Sequence, residues 1–408
     1  MGGVSTRRFF AFGLAAAGAI PLASRLLPFS SADAVETAVR AVPIAPVVTK
    51  TFEAFGDVRI DNYDWLRDRK DPRVVSYLDA ENAYANARLE PIKPLVDELA
   101  AELKEREAEE DASVPATYNG YVYEHRFSRG AQYPDIVRHK DVPGAQEEIV
   151  LDVGALAAGQ RQYQLGSWTV SPDNTRVAFA IDFTGGREFR IFVRSIASGE
   201  TVDQGIDNAS SDLVFAGDSD TLFYVRNEPT TLRSYQVWLH RLGTNPNSDV
   251  LIYEEGDTTF SVSIGLSMSR KLVLININEE RTSEYRYLPI DQPTAQLKVI
   301  EPRRRGVIYD VDHVGDNFFI RTNLDAPDFR LMSAPQATPT ALHWNEIVPE
   351  QPGRHLSHFE AFETFVAVDV EDETGTAIRV FNLPDLREIP VPRPAAIGVA
   401  SSAFGGGQ

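Results

Sequence analysis

The chain has 408 residues, 43% of them hydrophobic, and 40 Lys and Arg stand against 59 Asp and Glu for a formal net charge of −19. Such a composition can bury a core, and its acidic balance repels nucleic-acid phosphates. The lack of cysteine excludes a disulfide scaffold, a thiolate nucleophile and any zinc or iron–sulfur site built on thiolates.

In chain order, residues 1–34 read as an export signal. Arg7-Arg8 precede Phe9, an Ala- and Gly-rich apolar run follows from Ala11 to Leu22, and small residues lead to a cleavage site near Ala34. Paired arginines ahead of a modestly hydrophobic segment fit the twin-arginine type. The run is too short for a membrane anchor, so the mature chain is expected to be soluble, periplasmic or extracellular. An extended lead-in continues through Gly56. Asp71-Pro72 then sets a helix start, with Asp as cap and Pro at the first helical position. Val74, Val75, Leu78 and Ala85 keep helical spacing. Pro91 and Pro94 break that helix and open a second, in which Leu95, Leu99 and Leu103 recur every fourth residue. The run Glu109-Glu110-Asp111 reads as a solvated helix end.

From Tyr118 the pattern changes to short alternating stretches bounded by Gly, Asp, Asn and Pro. Tyr118–Phe127, Asp135–His139 and Glu148–Val153 form a first group of strands; Trp168–Val170, Arg176–Asp182 and Phe189–Ile196 form a second. Further groups begin near 213, 260, 307 and 356, a superperiod of about 47 residues. That is the period of a β-propeller blade. A pair of β-sandwiches would show similar turns but no superperiod. The expected fold is mainly β, a propeller of six blades plus a possible partial seventh, preceded by two N-terminal α-helices. The expected organisation is the signal at 1–34, the extended segment and helices at 35–112, the propeller at 113–395, and a Gly-rich tail or the start of a truncated seventh blade at 396–408.

The segment Gly56–Asp68, with Asp61-Asn62-Tyr63-Asp64-Trp65-Leu66-Arg67-Asp68 at its end, resembles the opening of the prolyl oligopeptidase family, and of its oligopeptidase B branch in particular. The resemblance continues in Pro72, Val75, Tyr77-Leu78 and Glu81–Tyr84, in Asn119–Tyr123, and in Gln132-Tyr133-Pro134. It extends to Thr169–Asn174, Tyr235–His240, Leu251–Glu255 and Thr282-Ser283-Glu284, and weakens beyond about residue 330. The resemblance implies a serine peptidase in which a seven-bladed propeller caps an α/β-hydrolase domain. It also implies short peptides as substrates and, in the oligopeptidase B branch, cleavage after Lys or Arg.

The chemistry of that family is not legible here. A hydrolase nucleophile sits on a strained strand-to-helix elbow written G-x-S-x-G. Gly265-Leu266-Ser267-Met268-Ser269 has serine where the last glycine belongs and lies on a blade strand; Gly3-Val4-Ser5-Thr6-Arg7 lies in the signal. No βαβ alternation follows the helices, so the C-terminal α/β-hydrolase domain is expected to be absent from this chain. No catalytic, cofactor-binding or metal-binding residue is assigned, and neither a nucleophile–base pair nor an oxyanion hole is expected. His355 and His358 could hold a metal on a helix, but their segment enters a strand and no third ligand is evident. His125, His139, His240, His313 and His343 read as structural. Arg303-Arg304-Arg305 reads as a solvated inter-blade loop rather than an anion site, and Glu371-Asp372-Glu373 as a solubilising turn.

Three functions follow as expectations. The chain is the propeller part of an exported oligopeptidase B-like peptidase, inactive alone, with its hydrolase half lost or supplied by a separately encoded chain. Alternatively it is an exported propeller that binds short peptides, basic ones among them, or a protein, or it is a nonfunctional truncated remnant. Neither nucleic acid nor, after signal removal, membrane is an expected partner.

Overall fold

The structure is a computed structural model that describes residues 42–106, 111–383 and 385–391. The signal at 1–34 and the tail at 396–408 lie outside the described residues, as do Glu109 and Glu110. The chain divides into two compact units, Met1–Ala108 and Glu109–Gln408.

The first unit begins with a hairpin, Lys50–Ala54 against Asp57–Asp61, turned by Phe55 and Gly56 at φ 55° and 84°. The lead-in to Gly56 is therefore not simply extended, because two residues with positive φ make the tight turn that joins twisted strands. Trp65 follows in a single 3-10 turn and is buried. Its indole N–H donates to the Pro46 carbonyl at 3.0 Å, and the Tyr77 ring meets it edge-on at 6.5 Å. Helix α1 spans Pro72–Leu89, and the Asp71 carboxylate accepts from the Arg73 amide at 2.9 Å as its cap. A 3-10 turn at Glu90–Ile92 joins it to helix α2, Lys93–Arg106. Only Val74 of α1 and no residue of α2 is buried; Leu78, Leu95, Leu99 and Leu103 are each about half exposed.

The second unit is a propeller of six successive blades in which every strand pairing among the described residues is antiparallel. The inner strands are Ala116–Tyr118, Gln164–Val170, the end of Thr201–Phe215, Ser261–Leu266, Tyr309–Val314 and His355–Ala361. In blade 1 the expected strand Tyr118–Phe127 is two strands, because Asn119 and Gly120 take φ of 49° and 78° and turn the chain into Tyr121–Phe127. Glu147–Leu151 ends in a short helix at Val153–Ala157 capped by Asp152, where an unbroken strand to Val153 is expected. Blade 2 takes its outer strand, unanticipated from sequence, from the first half of the 15-residue strand Thr201–Phe215. The second half of that strand is the inner strand of blade 3, so the two blades form one seven-stranded sheet.

The second strand of each central blade explains the packing. In blade 4 it is Leu272–Asn278, paired on both sides. Its Val273, Ile275 and Ile277 join a cluster with Val214, Phe223 and Val237 of blade 3, whereas Leu272 and Leu274 join Tyr309, Phe318 and Ile320 of blade 5. Blade 2 repeats the plan: Val177, Phe179 and Ile181 face blade 1, and Ala178 and Ala180 face blade 3. Successive side chains point to opposite faces, so a strand sandwiched between two neighbours is apolar through most of its length; in Leu272–Asn278 the polar exceptions are Asn276 and Asn278 near its end. Each fully buried aliphatic or aromatic side chain contributes about 1.5–3 kcal/mol. The five main clusters span the five junctions between consecutive blades, and none of these five joins blade 6 to blade 1.

The junction of blades 2 and 3 carries a sharp test. A Cβ at Gly166 would meet the Phe189 ring at 2.4 Å and the Ser211 Cβ at 2.8 Å. Gly166→Ala is expected to lower unfolding stability by about 1–3 kcal/mol, read as a fall in urea midpoint. An unchanged midpoint would contradict the packing described.

Candidate functional site

Several residues singled out in the sequence, His240, His313 and Arg303 among them, lie at the junctions between blades. His240, on blade 3 and fully buried, places Nδ1 2.7 Å from Asp249 and Nε2 3.0 Å from Asp203. Tyr224 donates to the same Asp249 at 2.8 Å, and Arg226 donates to the Tyr224 hydroxyl at 2.6 Å. Burial works against a charge on His240, but hydrogen bonds to Asp249 and Asp203 outweigh it, and its pKa is raised. With both ring nitrogens held by carboxylates, His240 has no lone pair for a substrate proton. Sequence reading assigned His240 a structural role but missed Asp203 and Asp249, which lie 37 and 9 residues away.

Arg303 is a clasp between blades 3 and 4. Its guanidinium donates to Glu255 at 2.5 Å and its backbone amide to Glu284 at 3.1 Å, and it lies 4.2 Å from the Phe260 ring centre. Glu255 and Glu284 are both buried. Arg304 donates to Glu301, while Arg305 is exposed. The cluster is thus more than a solvated loop: its first cation neutralises two buried carboxylates. Glu255 and Glu284 close the segments Leu251–Glu255 and Thr282–Glu284 that carry the family resemblance. Asn119 and Asn174, in two more of those segments, tie blade 1 to blade 2: each donates its side-chain amide to the other's turn, at 2.8 Å to Pro172 and 3.2 Å to Asn119.

His355 and His358 are not brought together as ligands. His355 meets Phe329 edge-on at 5.1 Å beside Arg321, and burial lowers its pKa; His358 lies 3.8 Å from Glu360, which raises its pKa. His125 packs against Trp168, His139 lies 2.8 Å from the Lys140 carbonyl, and His343 lies 3.3 Å from Thr340. Among the described residues no group of three or more His, Asp or Glu could hold a metal ion. In the acidic turn, Asp372 accepts from Thr374 and from Arg354, and the Thr374 hydroxyl leads in holding its pKa at about 2. Asp111 opens a two-residue strand that pairs with Tyr121–Phe127.

One serine does meet a histidine ring. The Ser269 hydroxyl lies 2.7 Å from Nδ1 of buried His313, and Ser267 lies 3.0 Å from Ser269. Burial lowers the His313 pKa, which favours the neutral ring. Yet His313 Nε2 is buried without a hydrogen-bond partner among the described residues, so no carboxylate orients the ring as a triad requires. The Ser269 oxygen also accepts from the Lys271 amide at 3.3 Å, and the Ser269 amide donates to the His313 carbonyl at 2.8 Å. The pair fixes a turn of blade 4 against blade 5. Nearby Asp312 accepts from the Met268 and His313 amides, and burial pushes its pKa up to about 6; Asp212, on the inner strand of blade 3, is likewise pushed to about 6.

Two measurements separate these roles. His240 has a folded pKa above its ordinary 6.5, so its stabilisation is complete below that value and is lost as pH rises through the folded pKa. The melting-temperature difference between wild type and His240→Gln is expected to be largest at or below pH ~6.5 and to shrink above it; a difference independent of pH would contradict the charged ring. Arg303→Ala takes the cation from buried Glu255, while Glu284 keeps Arg286 at 2.8 Å, and is expected to cost about 3–5 kcal/mol. Arg305→Ala is expected to stay within about 0.5 kcal/mol, both read by urea unfolding.

The comparisons with known proteins agree with this architecture. The family model for the prolyl oligopeptidase N-terminal β-propeller domain matches residues 43–405. A dipeptidyl aminopeptidase BI of Pseudoxanthomonas mexicana is 37% identical over 86% of this chain and 51% of its own length. Protease 2 of Moraxella lacunata is 30% identical over 72% of this chain and 44% of its own. The structure of oligopeptidase B from Leishmania major superposes with a TM-score of 0.78 at 26% identity, over 86% of this chain and 54% of that one. The chain thus spans about half the length of the curated relatives it matches. By the family model and by these likenesses, the chain belongs to the prolyl oligopeptidase family, whose N-terminal β-propeller domain it carries.

Proposed function

We propose that this chain is the substrate-gating propeller of an exported, oligopeptidase B-like serine peptidase, and that it acts with a hydrolase domain rather than alone. The observation that carries this reading is the pairing of family membership with a span of about half the relatives' length. The N-terminal unit supports it. Leu95, Leu99 and Leu103 form an apolar stripe on α2 and are about half exposed, and a helix gains most of its stability from burying such a face. A hydrolase body is the partner this reading assigns to the stripe. The Arg7-Arg8 signal supports export of a chain that folds first.

In this reading the propeller admits short peptides, and its charge favours basic ones. Asp212, Asp310, Asp312 and Glu360 all stand on inner strands, and the net charge of −19 draws cations by long-range attraction. Cleavage after Lys or Arg is the specificity that follows from the oligopeptidase B likeness.

The test is an assay of purified mature protein with Arg- and Lys-ended chromogenic peptides, with and without a serine-directed phosphonate. The expected result is no turnover by the chain alone, and phosphonate-sensitive turnover when it is co-expressed with the unmatched half of the dipeptidyl aminopeptidase BI relative. Phosphonate-sensitive turnover by the isolated chain would overturn the proposal. A stable chain that binds basic peptides but neither associates with nor activates the hydrolase half would favour a binding propeller.

A further inference from the structure

The turn Ser267–Lys271, which follows the inner strand of blade 4, touches blade 5, the cluster joining blades 5 and 6, and blade 1. It is closed by two backbone hydrogen bonds, Ser267 to Leu272 at 3.0 Å and Arg270 to Ser267 at 2.8 Å, and Arg270 takes a φ of 58°. Blade 5 pins its near side: the Met268 amide donates to Asp312 at 2.8 Å, and Ser269 meets His313 through both its amide and its hydroxyl. Its far side leaves that neighbourhood. The Met268 side chain packs against the cluster that joins blades 5 and 6. The Arg270 guanidinium lies 4.1 Å from the ring centre of Tyr118, at the end of the inner strand of blade 1.

Blades 1 and 4 are three places apart in the ring, and consecutive blades are the ones that share hydrophobic clusters. A contact between blades 1 and 4 at the ends of their inner strands therefore crosses the propeller axis. A guanidinium over an aromatic face is attractive, and more so as water is excluded. We propose that the Ser267–Lys271 turn is a plug across one mouth of the propeller channel and that Arg270 on Tyr118 is its latch. Blade 5 supplies the hinge side through Asp312 and His313, and blade 1 supplies the keeper. A peptide entering by this mouth has to displace Arg270. This inference does not depend on whether a hydrolase domain accompanies the chain.

The absence of native cysteine makes the test clean. In the full chain carrying Tyr118→Cys and Arg270→Cys, a short bismaleimide is expected to join the two sites within one molecule, read as a linked peptide by mass spectrometry. The control pair Tyr118→Cys and Lys298→Cys, with the second thiol on the outer strand of the same blade, is expected to stay unlinked. No link in the first pair, or equal yields in both, would overturn the plug. A second readout leaves Tyr118 in place. Arg270→Ala is expected to raise the rate of Tyr118 nitration by tetranitromethane several-fold over wild type, and an unchanged rate would equally overturn the latch.

Discussion

Two-sided burial of the second strand in each central blade is the constraint from which the rest of this propeller follows. In a strand such as Leu272–Asn278, Val273, Ile275 and Ile277 fill one junction and Leu272 and Leu274 the next. Neither set is satisfied inside a single four-stranded sheet, so a blade is stable only between neighbours. The shared strand Thr201–Phe215 goes one step further and makes blades 2 and 3 a single sheet. The end blades differ. In blade 1 the second strand Tyr121–Phe127 is mostly half-buried, and in blade 6 Phe365–Asp372 is buried on both faces but only Val366, Val368 and Val370 enter a main inter-blade cluster, while Ala367 and Asp369 lie on the other face.

Polar side chains add register to that apolar stacking. Arg303 between Glu255 and Glu284, His240 between Asp203 and Asp249, and Asn119 across from Asn174 each need one geometry to be satisfied. A buried charge without its partner costs far more than the pair gains, so these clasps penalise misaligned blades. The Ser269–His313 pair belongs with them. It has the two atoms that open a catalytic triad, but its oxygen also accepts from the Lys271 amide of the turn and no carboxylate among the described residues is hydrogen-bonded to the imidazole. Function needs the third group and the oxyanion donors as well as the first contact.

Much of this was legible in the sequence, for a physical reason. A blade is a local unit of strands and short turns, so its period of about 47 residues survives in the chain order. The helix start at Asp71-Pro72 was legible because cap and first-turn chemistry are local. What was lost falls into two kinds. The turn at Phe55-Gly56 depends on a phenylalanine at positive φ, which no sequence signal announces, whereas Asn119-Gly120 is a recognised hairpin signal between Tyr118 and Tyr121. The long strand from Thr201 bends through Gly205 and Asn208, whose turn-forming character reads as a loop until neighbouring strands pair on both sides. The clasp partners were invisible because they are 19 to 48 residues from Arg303.

The serial character of the stack is the central claim. It is tested most directly by native-state hydrogen exchange followed strand by strand. The account predicts the slowest exchange in the second strands of blades 2 to 5, Arg176–Asp182, Thr221–Asn227, Leu272–Asn278 and Asn317–Thr322. It predicts faster exchange in Tyr121–Phe127 of blade 1 and Phe365–Asp372 of blade 6, which each take part in one of the five main inter-blade clusters. Protection in both end blades equal to that of blade 3 would contradict it.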